Sequence, residues 1–153
     1  MVTAKRISIG TSRYEVRAGD RPVTTWDAHV WRSGGDFVLD GRRYAVRSNA
    51  WGNRYAMTDD RGDVVAEADR VGRKHWTIES GGQTYRFQRA SYFSGEQELH
   101  NAAGRVGSIR RTSAWRGDVA ADLPGLPLAL QIFAIGVVIC LWDAQAAAAS
   151  AAS

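Results

Sequence analysis

The feature that most constrains this chain is the distribution of charge along it. All 20 Lys and Arg lie before Leu123, and from Leu123 to Ser153 the only charged residue is Asp143. Within that stretch, Leu126–Trp142 is 17 residues interrupted in its helical part only by Gln131, with Pro127 at its second position and an alanine-rich tail after it. Pro127 suits the start of a helix, where a missing N–H costs nothing, and the alanines favour continuation. A helix over 127–149 is therefore expected, with 150–153 as a disordered tail. A helix without a polar face is either the core of a larger structure or a membrane span. At about 1.5 Å per residue, Leu126–Trp142 reaches roughly 25 Å, the lower edge of what crosses a bilayer.

The remainder is of a different kind. In a chain of 153 residues, 44% apolar and 24% charged, one folded domain with a buried core is expected, covering residues 1–149. Strand-like runs occur at Arg6–Ser8, Arg13–Arg17, Val23–Arg32, Asp36–Asp40, Arg42–Ser48 and Arg54–Thr58. They continue at Asp63–Asp69, Lys74–Ser80, Gln83–Arg89, Glu96–Asn101, Arg105–Arg110 and Ser113–Val119, so the strands occupy 5–119. Ser33-Gly34-Gly35, Asp60-Arg61-Gly62-Asp63, Ser80-Gly81-Gly82 and Asn101-Ala102-Ala103-Gly104 supply hairpin turns between them. No sustained 3.6-residue apolar period precedes Leu123. Trp76 and Ile78, Tyr85 and Phe87, and Tyr44 and Val46 alternate with His, Thr, Gln and Arg, giving one apolar face and one arginine-rich face.

A weak repeat links Gly41-x-x-Tyr44-x-Val46 to Gly82-x-x-Tyr85-x-Phe87, with Trp51 matched to Tyr92, all at an offset of 41. Gly62-x-Val64 matches Gly104-x-Val106 at an offset of 42. With Trp26-Asp27 and Trp142-Asp143 this brings a propeller to mind, but the chain has room for three units at most, below the about 4–8 blades such a fold needs.

About twelve antiparallel strands closed on themselves leave a wide lumen. Small inward residues, read here as Ala56, Ala66, Ala68 and Ala114, would leave it hollow. The apolar helix fills it. The expected fold is thus all-β with one buried helix: a closed antiparallel β-barrel of about twelve strands around a hydrophobic C-terminal α-helix. The alternative is a tail-anchored protein whose helix 126–142 spans the bilayer. Against it stand Asp118 and Asp122 before the run and the lack of flanking Lys or Arg.

The strand ladder Arg42–Val119, its near-duplicate halves and the closing Leu126–Trp142 helix resemble the tubby C-terminal-like superfamily, which includes the LURP-one-related proteins and the phospholipid scramblases. The Tyr55–Ala68 segment, with Asp59-Asp60-Arg61-Gly62 at its turn, is similar to that family's strand–turn–strand hairpin. The resemblance implies a non-enzymatic barrel working at a membrane surface. This chain is shorter than typical members, so one or two strands are expected to be short or missing. None of the family's binding positions maps onto residues here.

The residues themselves carry little catalytic chemistry. No H-E-x-x-H, G-x-S-x-G, C-x-x-C or phosphate-loop pattern is present. His29, His75 and His100 lie on separate strands with no acidic or cysteine partner close in sequence, and no metal or other cofactor is expected. Asp59, Asp60 and Asp63, like the Arg61-Gly62-Asp63 tripeptide, read as a hairpin turn. Cys140 sits within the apolar run and reads as packing, in keeping with a reducing cytoplasm. Met1–Ile7 is charged with no apolar stretch after it, unlike a secretory signal.

The surface signal is arginine. Arg42 and Arg43, Arg70 with Arg73 and Lys74, and Arg110 and Arg111 with Arg116 are the candidate ligand-facing residues. Converging on one side, they would attract anionic phospholipid headgroups or an acidic protein partner. Nucleic acid is disfavoured, because the aromatics fall on the inward phase and not among the cations. A cytoplasmic, membrane-associated monomer is the resulting expectation.

Overall fold

The structure, a computed structural model, describes residues 1–7, 12–29, 33–91, 94–113 and 116–152. Twelve strands follow one another in a meander: β1 Val2–Arg6, β2 Arg13–Ala18, β3 Arg21–Ala28, β4 Gly34–Leu39, β5 Arg42–Ser48 and β6 Arg54–Thr58. Then come β7 Val64–Asp69, β8 His75–Ser80, β9 Gln83–Arg89, β10 Gln97–Asn101, β11 Gly104–Arg111 and β12 Val119–Asp122. Each pairs antiparallel with its neighbour, and β1 pairs with β12 (Val2 opposite Ala121, Ala4 opposite Val119), which closes the barrel and removes every sheet edge. All twelve strands expected for the architecture are present.

Alternation and turn chemistry account for most of these elements. In β8 the side chains of Trp76 and Ile78 point inward and are fully buried. In β9 Phe87 does the same and stacks on Trp76, with ring centroids 4.4 Å apart. The β4–β5 hairpin turns on Asp40 and Gly41, both at positive φ (51° and 76°), the tight turn whose twist matches the flanking strands. At the β6–β7 turn the Asp59 carboxylate accepts from the backbone N–H of Arg61 and of Asp63, each at 3.0 Å, so the clustered aspartates are turn residues.

The structure corrects several details. Ala56 faces outward, because Tyr55 and Met57 on either side of it are the buried residues of β6. The 41-residue repeat carries the β4–β5 hairpin onto β8–β9 and the β6–β7 turn onto β10–β11. It therefore steps four strands, a third of the barrel, and not the six that separate two halves. Trp51 is 87% exposed and takes no part in a repeated core. The first and last strands meet the runs expected for them at one residue each, at Val2–Arg6 rather than 6–8 and Val119–Asp122 rather than 113–119. Of the expected positions, Ser8, residues 30–32, Tyr92, Ala114, Trp115 and Ser153 lie outside the described residues.

The helix α1, Leu128–Ala152, enters at the end where the short hairpins lie and runs through the lumen. Its first turn is closed by the Gln131 N–H donating to the Pro127 carbonyl, and the Gln131 side chain donates to the Leu126 carbonyl, which settles the one polar group of the buried stretch. Leu130 and every residue from Ile132 to Trp142 are buried against the inward faces of the strands. Filling the lumen all round is what requires a helix apolar on every side. By length and composition α1 is also long enough to cross a membrane. Beyond Trp142 it leaves the barrel, and its alanines hold it helical and exposed to Ala152, past the expected stop at 149.

Candidate functional site

Antiparallel order gives the barrel two unlike ends. At the helix-entry end, tight turns connect the strands and carry Asp20, Asp40, Asp59, Asp60 and Asp63 against Arg61. At the helix-exit end, longer loops carry Arg70, Arg73, Lys74 and Arg116 against Glu96 and Asp118 among the described residues. Arg110 and Arg111, at the last two positions of β11, add to the exit end. Of the eight candidate residues, six therefore gather at one end. Arg42 and Arg43 do not, since they open β5 beside the Asp40–Gly41 turn at the other.

Local packing explains why the exit-end cations face solvent. In the β7–β8 loop Val71 sinks into the core and its N–H donates to the Asn53 carbonyl, which turns Arg70, Arg73 and Lys74 outward. Gly72 of the same loop sits over Leu141, so the loop rests on the end of α1. The β11–β12 loop is tied by Thr112 N–H to the Asp118 carbonyl (2.8 Å) and Gly117 N–H to the Ser113 carbonyl (3.0 Å). The buried Asp118 carboxylate accepts from the Arg6 backbone N–H at 3.1 Å, joining this loop to β1.

Pairing separates two populations of arginine. On the barrel wall, Arg13 pairs with Asp27, Arg17 with Glu15, Arg54 with Asp69, and Arg105 with Glu96 and Glu98. None of the eight candidate side chains forms an ion pair among the described residues. These wall arginines are locally neutralised, whereas the loop charge at the exit end is left for a partner.

The mouth around the emerging helix holds further residues that the strand pattern does not single out. Arg6 donates from Nη2 to the Tyr14 hydroxyl at 2.7 Å. The Arg111 guanidinium lies over the Trp142 ring, 4.6 Å from its centroid. The Trp142 indole N–H donates to the Gly95 carbonyl (2.9 Å), which also receives the amide of Gln97, and Gln97 in turn accepts from Trp76 at 2.8 Å. This buried chain fixes the orientation of Trp142 and hence of Arg111. Asp143 follows Trp142 at the exit. Loss of hydration in the mouth raises its carboxyl above the ordinary aspartate value, against the opposing pull of Arg6 and Arg111. The Tyr14 hydroxyl is likewise raised, by burial. The lone charge of the C-terminal helix was the sequence signal for this mouth, since an aspartate emerging from a lumen needs cations near it.

The histidines are corrected too. His29 Nε2 meets Asp36 at 2.8 Å because the β3–β4 hairpin folds one onto the other, and Arg47 approaches the same carboxylate at 3.6 Å. His100 meets Glu98 at 3.0 Å, two residues away on the same strand face. Among the described residues no group of three or more His, Cys, Asp or Glu side chains is placed to hold a metal ion. Cys140 is buried, and burial pushes its thiol up to about 12.

Compared with family models, curated proteins and solved structures, the chain matches none.

Proposed function

We propose that this protein is a non-enzymatic, tubby-like barrel that attaches to anionic phospholipid headgroups through its helix-exit end, as a monomer on the cytoplasmic face of a membrane. The observation that carries this reading is the gathering of six cations without an ion pair among the described residues, Arg70, Arg73, Lys74, Arg110, Arg111 and Arg116, at one end of the axis, whereas Arg42 and Arg43 at the opposite end stand among the turn aspartates Asp20, Asp40, Asp59, Asp60 and Asp63. Such an axial dipole orients the barrel before contact, and each Lys or Arg brought near an anionic surface contributes about 1 kcal/mol. The tubby-like assignment is supported by the closed twelve-strand wall around a C-terminal helix. An acidic protein partner would use the same end.

The competing anchor reading requires α1 to leave the lumen. That would expose the inward faces of Trp26, Trp76, Phe87 and Ile109, all fully buried around the helix. Attachment through the rim leaves the core intact and is the reading favoured here.

Flotation with vesicles tests it. Binding is expected to require phosphatidylserine over phosphatidylcholine, to weaken steeply with salt, and to fall in a combined Arg70→Gln, Arg73→Gln, Lys74→Gln variant. The Arg42→Gln, Arg43→Gln variant at the opposite end is expected to bind like the parent. Binding indifferent to lipid charge and salt overturns the proposal.

A further inference from the structure

Between α1, β1, β2 and β11 the exit mouth holds a half-open cavity of about 180 Å³, lined by Arg6, Tyr14, Arg111, Gly117, Trp142 and Asp143 among others. Both guanidinium groups are held in place by contacts that leave donors unused. Arg6 is fixed through Nη2 to Tyr14, and its Nε is buried with no acceptor. Arg111 is fixed by stacking on Trp142, which leaves its planar edge of N–H groups open. Asp143 is near enough to feel both charges but forms an ion pair with neither within 4 Å. Two cations thus face a gap with one carboxylate across it, short of a negative charge. Gly117 lines the gap at a φ of +72°, a backbone conformation that favours glycine, 3.7 Å separating the place of a Cβ from Arg6 Nη2. The space suits several waters, and therefore a five-atom oxyanion.

We propose that this cavity binds one phosphate group, as inorganic phosphate or a phosphate monoester, clamped between Arg6 and Arg111 with Trp142 as the support of the second arginine. Guanidinium forks match the paired oxygens of a tetrahedral oxyanion, and charge-assisted bonds of this kind are the strong ones. Asp143 is the internal competitor: it faces the same two arginines, and its negative charge opposes the ligand. The inference rests on reading this end as the anion-facing one, and adds a defined pocket to what is otherwise a charged rim.

Titration calorimetry of the full chain with methyl phosphate is the first arm. Saturable one-site binding is expected, weakened about tenfold or more by Arg111→Gln, whose exposed side chain is removed without touching the core. Arg70→Gln, outside the cavity, should leave it unchanged, and Asp143→Asn should tighten it several-fold. Absence of saturable binding, equal binding by the Arg111→Gln variant, or weaker binding by Asp143→Asn each overturns the site. The second arm uses vesicles containing phosphatidic acid or phosphatidylserine at matched surface charge. A preference for phosphatidic acid, competed by methyl phosphate and lost in Arg111→Gln, assigns the ligand to a lipid headgroup. Methyl phosphate binding without that preference assigns it to a soluble phosphate. Phosphatidylserine binding with no methyl phosphate binding overturns the cavity site and leaves the rim proposal standing; the converse result overturns the rim proposal alone.

Discussion

Gly136, halfway along the buried helix, lies flat against the indole of Trp26: a Cβ built on it would meet the ring carbons at 2.5–2.7 Å. Gly35 of β4 approaches the same indole, where a Cβ would lie 2.6 Å from the ring. Trp26 thus packs against both a helix and a strand, each of which lacks a side chain at the contact. Glycine in a helix interior costs about 1 kcal/mol relative to alanine, so its presence here is explained by the ring and not by the helix.

Gly136→Ala is expected to destabilise the parent protein by about 1–3 kcal/mol, the usual cost of overpacking, despite its gain in helix propensity. In a Trp26→Leu background the clash disappears, and the same substitution should become neutral or stabilising. A double-mutant cycle of denaturant midpoints measures the reversal. Equal effects in both backgrounds would show that the indole is not what forbids the side chain.

The central helix was legible because a chargeless apolar run has only two fates, and twelve strands with turn glycines supply the lumen that decides between them. Strands β5, β6 and β9 fall on the residues expected, since each has a glycine-containing tight turn at one end and alternating apolar residues along its length. The closing pair was not legible. In β12 Val119, Ala120 and Ala121 are all buried, so period-2 alternation is lost. Its partner β1 lies at the other end of the chain, a pairing no local signal announces. The mouth suffered for the same reason, because Arg6, Arg111 and Asp143 are brought together only by that closure. The clustering of six of the eight candidate cations followed from strand parity, whereas Arg42 and Arg43 were misassigned to the same side because adjacency in sequence says nothing of which end a turn occupies.

Ile135 is 1% exposed, in the middle of the lumen. Ile135→Asp places an unpaired charge there at a cost of several kcal/mol, comparable with the whole stability of a domain this size. The variant is expected to be unfolded by circular dichroism and proteolysis, as is the fragment Met1–Asp122. A folded variant that merely loses its membrane fraction would instead assign α1 to the bilayer.

With its thiol raised to about 12 and its sulfur enclosed, Cys140 is protonated and unreachable in the native barrel. Alkylation by a maleimide should therefore be undetectable under native conditions and follow the unfolding curve as denaturant is added. Rapid modification of the folded protein would mean that the exit end of the lumen opens without global unfolding.

Asp143, exposed where the helix leaves the barrel, gives stability a small pH dependence. Because its folded carboxyl is raised above the unfolded value, the folded state holds this proton more tightly, and stability falls as pH rises through the carboxylate range. The strain is absent below the unfolded value and complete above the folded one. Asp143→Asn removes it, so the variant should match the parent at low pH and exceed it at neutral pH. Denaturant midpoints of the two proteins from pH 3 to 7 test this. A variant less stable than the parent at neutral pH would mean that the attraction of Arg6 and Arg111 outweighs the lost hydration, and that the mouth is already balanced without a bound anion.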